Sequence, residues 1–233
     1  MREAHHTVFG GLTMEVKDIK TGTTTVGIKI ANAVVLAADM RASMGHIAYD
    51  EESKKVYKIT HYMGLTNAGN VGDSLSIIRF LKAQAKLYDI ERETRMSPKA
   101  AATFLSNILN GNRYAPYIIQ TIIGGIGEEP EMYEVSPFGG ILERNKYAAN
   151  GSGTEMALGT LDNYYKEDMT EQEAIVLAIK AVEAGKRRDI YSGGVSVKVA
   201  VIDSKGFRYL SEEEVKNAKE PQKINNGRNK IKK

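Results

Sequence analysis

Three consecutive threonines, Thr23-Thr24-Thr25, follow directly on Gly22, and two charged residues, Asp39 and Lys55, stand at the edges of the apolar stretches that come next. Threonine favours strands, so the run by itself reads as an edge of sheet. An aspartate and a lysine flanking apolar strands are harder to place, because a charge taken out of water is costly unless it is paired. By themselves the two read as a structural salt bridge; beside a Gly-Thr junction they become candidates for chemistry on a hydroxyl. The chain contains no cysteine, which excludes disulfides, thiolate metal sites and a cysteine nucleophile. Nucleophilic chemistry here falls to oxygen or nitrogen.

The elements that would hold these residues follow from periodicity and punctuation. Thr24 to Ile30 alternates with β-branched residues, Ala31-Asn32 offers a turn, and Val34 to Ala38 is a short buried run, a hairpin that begins at the threonines. Lys55 to Thr60 and Met63 to Ala68 read as a second pair of strands, running into Gly69-Asn70-Val71-Gly72 and a helix over Asp73 to Tyr88. Ser97-Pro98 opens a second helix, with an N-cap followed by proline at the first helical position. Strands are expected at Ile118 to Gly124, Met132 to Ser136 and Ile141 to Ala148, then helices at Met156 to Tyr165 and Thr170 to Arg188, the latter opened by the capping box Thr170-Glu171-Gln172-Glu173. Ser196 to Ile202 and Phe207 to Leu210 close the chain as a hairpin. Strands, two helices, strands, two helices, strands describe an α+β chain. Two stacked antiparallel sheets, each covered by a helix pair, make a four-layer αββα sandwich.

At the threonines and their partners the sequence resembles the proteasome β subunits, most closely the archaeal type. The likeness is carried by Thr21-Gly22-Thr23-Thr24-Thr25-Val26-Gly27, Asp39-Met40-Arg41, Ser53-Lys54-Lys55-Val56, Ala68-Gly69-Asn70-Val71-Gly72-Asp73, Gly151-Ser152-Gly153 and Arg188-Asp189-Ile190-Tyr191-Ser192-Gly193-Gly194, in order along essentially the whole chain after the leader. The resemblance implies the Ntn-hydrolase fold and a threonine endopeptidase. It makes Thr23 the nucleophile, Asp39 and Lys55 its charged partners and Gly69 the donor of an oxyanion-stabilising N–H, with Ser152, Asp189 and Ser192 in support. It also implies autocleavage between Gly22 and Thr23. Residues 1–22 are then a propeptide, 23–212 the catalytic domain and 213–233 a basic, disordered tail.

Those residue types suit that chemistry. A threonine hydroxyl is a weak nucleophile until a base takes its proton, and an N-terminal threonine has its own α-amine, with a pKa of about 7.7 to 8.0, for the purpose. A nearby ammonium at Lys55 disfavours a second positive charge and holds that amine neutral, while Asp39 orients the lysine. A fixed N–H aimed at a developing oxyanion contributes roughly 3 to 4 kcal/mol.

By the same resemblance Ala42, Ser53, Tyr57, Asn67, Val71 and Leu75 form the specificity pocket, whose mixed lining predicts cleavage after Leu, Tyr or Phe above cleavage after Asp or Lys. The partners implied are proteasome α subunits, further β subunits in seven-membered rings, an unfolding ATPase acting through the α ring, and unfolded polypeptide substrates. Two other readings remain open at this point: a non-catalytic β-ring subunit, and another Ntn amidohydrolase acting on small amides.

Other features exclude more than they suggest. The formal net charge is +3 over 233 residues, and much of the excess falls between Lys216 and Lys233, which argues against a nucleic-acid-binding face. Met1 to Lys20 carries Glu3, Glu15 and Asp18 without a continuous apolar stretch, so neither a membrane span nor a secretory signal is expected, and a cytoplasmic location is. His5-His6 lacks further ligands, and no metal or other cofactor is assigned. Gly124-Gly125-Ile126-Gly127 mimics a phosphate loop but runs into Glu128-Glu129-Pro130 rather than a helix, and is read as a turn.

Overall fold

The structure, a computed structural model, describes residues 22–112 and 114–219 and the backbone of an antiparallel strand pair, β1 (Thr7–Phe9) and β2 (Leu12–Met14). The propeptide expected over 1–22 otherwise lies outside the described residues, as do His5-His6 and the last part of the expected tail. Two five-stranded sheets follow. The first has the order β12-β3-β4-β13-β14, from β3 (Thr25–Ile30), β4 (Ala33–Asp39), β12 (Tyr147–Asn150), β13 (Val197–Asp203) and β14 (Gly206–Tyr209). The second has the order β11-β10-β9-β8-β7, from β7 (Val56–Lys58), β8 (Met63–Gly69), β9 (Ile119–Ile126), β10 (Pro130–Val135) and β11 (Ile141–Glu143). Every pairing within them is antiparallel.

Helices α1 (Val71–Arg92) and α2 (Pro98–Gly111) cover the second sheet, and α3 (Thr154–Tyr164) and α4 (Glu171–Arg188) cover the first. Each interface has its own apolar cluster. Leu65, Leu81, Leu105 and Ile123 fill one, and Val26, Val35, Ile179 and Val199 another. Between the sheets lie Val34, Leu36, Ile122, Met132 and Ala200. The four-layer αββα arrangement expected from the sequence is the observed one. Central strand β4 is buried along its whole length because both of its faces meet apolar layers.

The capping residues act as their types suggest. Asn70 accepts from the Gly72 and Asp73 N–H groups at 2.8 and 3.2 Å, which starts α1 two residues before the expected Asp73, and Ser97 caps α2. Thr170 and Glu173 form the reciprocal capping box of α4.

Four expectations need correction. The run from Ile141 to Ala148 is two strands in different sheets, because at Arg144 the chain leaves β10, where the Arg144 N–H donates to Met132 O at 2.8 Å, and by Lys146 it accepts from the Lys29 N–H of β3 at 2.8 Å. The glycines at 124 and 125 lie within β9, not in a turn. A Cβ at Gly124 would come within 2.6 Å of the Val34 side chain, so the close approach of the sheets requires glycine there. A short hairpin, β5 (Ala42–Met44) with β6 (Ile47–Asp50), stands where the sequence pattern suggested no element. Finally, the tail expected to be disordered from 213 begins with helix α5 (Glu212–Lys219), which buries Val215 and Ala218 against the first sheet's helix layer.

The apolar layer between the sheets is buried. Ile122→Ala, at a fully buried position of that layer, should lower stability by about 2–5 kcal/mol. Thr170→Ala, which removes only a cap, should cost about 1 kcal/mol. Urea titration of both variants checks the order, with an unchanged slope and a lower midpoint for Ile122→Ala.

Candidate active site

The first sheet places the threonines at its rim. Thr24 lies just before β3, and its N–H donates to Asp39 Oδ1 at 2.9 Å, while the Asp39 N–H donates back to Thr24 O at 3.1 Å. Residue 24 is thereby tied to the end of β4, which fixes Thr23 one residue upstream. Thr23 itself is 4% exposed. Its carbonyl accepts from the Gly153 N–H at 3.2 Å and its own N–H donates to Ser152 Oγ at 3.1 Å, so the turn that leads into α3 holds it from the other side.

Lys55 reaches in from the second sheet, just ahead of β7. Its Nζ donates to Asp39 Oδ1 at 2.7 Å and to the Gly22 carbonyl oxygen at 3.2 Å. The side chains of the ion pair are 8% and 0% exposed. Burial pushes the Lys55 pKa below the ordinary lysine value, and the Asp39 charge and hydrogen bond act in the opposite direction. The other carboxylate oxygen, Oδ2, accepts from the Gly193 N–H at 2.9 Å and the Arg41 N–H at 3.3 Å. Residues from four segments of the chain thus converge on one carboxylate.

A second carboxylate organises the opposite side. Asp189, the C-cap of α4, accepts at Oδ2 from the hydroxyls of Ser192, at 2.6 Å, and Ser152. A serine has one proton, and a carboxylate can only accept. Ser192 therefore accepts from the Thr24 hydroxyl, 2.8 Å away, and Ser152 accepts from the Thr23 N–H. Two donor chains, one from each of residues 23 and 24, end on the same oxygen.

The Thr23 hydroxyl donates to the Gly22 carbonyl oxygen at 2.5 Å, the same oxygen that Lys55 approaches. Gly22 is packed so closely that a Cβ there would lie 1.7 Å from the Tyr191 Cβ. A cleft opens beside this point, lined by Gly22 and Thr23 together with Ala42, Ser53, Lys55, Tyr57, Asn67, Gly69 and Val71. Gly69 ends β8 with φ +128°, a conformation that side chains disfavour, and a Cβ there would lie 2.0 Å from Ile118 O.

Every residue that the sequence singled out for chemistry is brought within this one region: Gly22, Thr23, Asp39, Lys55, Gly69, Ser152, Asp189 and Ser192. Of the expected pocket residues, Ala42, Ser53, Tyr57, Asn67 and Val71 line the cleft, whereas Leu75 does not; it is 40% exposed on α1, and Ser74 lines the cleft in its stead. Lys54 and Ser43 also line it. Sequence reasoning passed over Thr24, the Arg41 and Gly193 N–H groups and Tyr191. Their contribution runs through backbone groups or neighbours distant in sequence, although all of them fall inside the motif blocks. Among the described residues no cluster of potential metal ligands occurs, and no helix is long and apolar enough to cross a membrane.

Comparison with known proteins bears on the arrangement. A family model described as "Proteasome subunit" matches residues 19–202. The chain is similar to "Proteasome subunit beta" of Methanocaldococcus fervens, 46% identical over 200 residues that cover 85% of this chain and 89% of that protein. It is 45% identical to "Proteasome subunit beta 2" of Pyrococcus abyssi over 195 residues, covering 84% of this chain and 93% of the relative. It is 47% identical to "Proteasome subunit beta 1" of Pyrococcus furiosus over 189 residues, covering 81% and 96%.

The two glycine environments predict opposite outcomes. Gly69→Ala combines an unfavourable φ with a backbone clash and should destabilise by at least about 1–3 kcal/mol. Gly159→Ala, inside α3 with nothing near the added atom, should gain about 0.5–1 kcal/mol. Thermal melts of both variants check this, and a Gly69→Ala protein that melts with the wild type would contradict the geometry.

Proposed function

The chain belongs to the proteasome subunit family as a β-type subunit, and from that premise we propose that it is a catalytic one, a threonine endopeptidase that frees its own nucleophile by cutting between Gly22 and Thr23. The observation that carries the reading is the convergence of the Thr23 hydroxyl and the Lys55 ammonium on the Gly22 carbonyl oxygen, at 2.5 and 3.2 Å, inside a buried site. A non-catalytic subunit has no need to keep a lysine and an aspartate out of water at that place.

In the self-cleavage step, Thr23 Oγ attacks the Gly22 carbonyl carbon, the C–N bond breaks, and the hydroxyl proton ends on the released Thr23 nitrogen. The Lys55 ammonium stabilises the charge that builds on the Gly22 oxygen. The result is an ester between Gly22 and Thr23 Oγ, which water opens to a Gly22 carboxylate and a free hydroxyl. The clash that any Cβ at residue 22 would have with Tyr191 supports glycine as the residue that lets the carbonyl come this near.

Once freed, the α-amine occupies the place of the Thr23 N–H, beside Ser152 and through it Asp189. It takes the hydroxyl proton as Oγ attacks a substrate carbonyl, then hands it to the leaving peptide nitrogen; water releases the acyl group. Lys55, positively charged and close by, keeps that amine in its basic form. The Gly69 N–H, at the cleft's edge, is our assignment for the oxyanion donor.

We place the subunit in a seven-membered β ring between α rings, receiving unfolded polypeptide from an unfolding ATPase. Exposed apolar side chains support assembly with other proteasome subunits: Phe80, Leu87 and Ile90 on α1, and Met44, Ile47 and Tyr49 on the β5–β6 hairpin.

Two variant sets test the proposal. In a purified, protease-free assembly, Thr23→Ala should retain residues 1–22 by intact mass, and Thr23→Ser should lose them; a Thr23→Ala chain that begins at residue 23 would overturn self-cleavage. Lys55→Ala should reduce peptide hydrolysis by at least about 10²-fold and leave the fold intact, because Asp39 keeps the Thr24, Arg41 and Gly193 N–H donors. Lys55→Arg should fail similarly, its planar head being no substitute for a compact ammonium. Near-normal hydrolysis in either would remove Lys55 from the mechanism.

A further inference from the structure

Lys55, just ahead of the edge strand β7, reaches from the second sheet to the threonine rim on one side. A second crossing between the sheets lies on the other side, where the edge strand β12 ends. Asn150, the last residue of β12, is 4% exposed. Its amide nitrogen donates to Glu134 Oε1 of β10 at 2.8 Å, the orientation that a carboxylate demands, because it can only accept. The other oxygen of Glu134 is taken by Arg144, through two bonds of 2.6 and 2.8 Å. The next residue, Gly151, donates its N–H to Gln120 Oε1 of β9 at 3.0 Å. Two consecutive residues of the first sheet's edge are thus tied to the second sheet.

The turn that follows lies directly on Thr23. Gly151 has φ +97°, and a Cβ there would come within 2.1 Å of Thr23 O, so glycine is required where the two backbones meet. The Gly153 N–H donates to that same oxygen at 3.2 Å. Between them Ser152 Oγ takes the Thr23 N–H at 3.1 Å and passes its own proton to Asp189. The turn therefore sets the position of the Thr23 nitrogen. It is itself held from two directions. On the helix side the Thr154 N–H and hydroxyl donate to Gly151 O at 3.2 and 2.6 Å. On the sheet side stands Gln120, which is exposed in a strand whose residues 119 and 121–125 are buried. Its place in β9 is polar, and packing does not account for it.

Resting on the catalytic reading above, we propose that Gln120 is a positioning residue for the peptidase reaction. By accepting the Gly151 N–H from the opposite sheet it fixes the 151–153 turn, and through Ser152 it sets where the freed Thr23 amine lies relative to the Thr23 hydroxyl. Gln120 does not line the cleft beside Thr23, so it acts on turnover and not on substrate binding. Misplacing a reacting group by about 1 Å can cost roughly 10²-fold in rate. Here one bond at an exposed side chain is lost and water replaces part of it, so the effect is smaller.

The test uses the mature protein in its assembled particle and one short peptide with Leu before the scissile bond. Gln120→Leu has no acceptor, and Gln120→Asn, one methylene shorter, falls short of the Gly151 N–H while keeping an amide at the same exposed place. Both should lower kcat roughly three- to tenfold, the worth of one net hydrogen bond, with KM within about twofold of wild type. Gln120→Glu has the same length and accepts at either oxygen, and should restore kcat to within about twofold of wild type. Wild-type kcat in the Leu and Asn variants, a loss that falls on KM instead, or a Glu variant as slow as the Leu variant overturns the assignment and leaves the peptidase reading standing. A wild-type particle that cleaves no peptide overturns both.

Discussion

A lysine ammonium lies 2.7 Å from a carboxylate that has no exposure to solvent, one from each of two stacked sheets. Such a pair is expensive, since the desolvation of two ions can exceed their mutual attraction unless further hydrogen bonds satisfy the remaining lone pairs. Here Asp39 is supplied by backbone N–H groups from Thr24, Arg41 and Gly193. The need to supply them draws the start of β3, the second residue after β4 and the loop after α4 to one point. The geometry of the threonine rim thus follows from supplying hydrogen-bond donors to one buried carboxylate. In the proposed self-cleavage the lysine keeps a compact positive charge beside the carbonyl oxygen that would become negative.

Asp189 plays the corresponding part on the other side, taking the protons of Ser152 and Ser192. Residues 23 and 24 are consequently held between two carboxylates, one by way of the backbone and Lys55, the other by way of serine hydroxyls. Glycines make room for the crossing: a Cβ at Gly153 or Gly185 would lie 1.9 or 2.2 Å from the Thr24 hydroxyl oxygen. The sandwich matters to the site because Thr23, ahead of β3 in one sheet, and Lys55, ahead of β7 in the other, meet at one carbonyl oxygen.

Much of this was legible in the sequence, for reasons that differ by element. The β3–β4 hairpin, the capping box at Thr170 and the helix after Ser97-Pro98 announce themselves through short-range chemistry that tertiary context did not override. The break between β11 and β12 was not legible, because a chain that changes sheets keeps its alternation and only the partners at Met132 and Lys29 differ. The glycines of β9 read as a turn for a similar reason: the side chain of Val34, far away in sequence, decides what fits there. At the site, residue types that cost energy to bury stood out, and Asp39 and Lys55 are of that kind. Thr24 and the Gly193 N–H did not stand out, since threonine and a backbone amide are ordinary anywhere in a chain until folding removes their water.

The account turns on Thr23 being a nucleophile whose base for substrate cleavage, its own α-amine, exists only after the amide bond to Gly22 is cut. Intact and peptide-level mass measurement of the assembled protein treated with a peptide-like β-lactone bears on this most directly, because ring opening by a hydroxyl leaves a stable ester at the attacking residue. The predicted result is a chain that begins at Thr23 and carries one adduct, located on the Thr23 side chain and absent from Thr23→Ala. An unlabelled chain that begins at Thr23, or an adduct on any other residue, would contradict it.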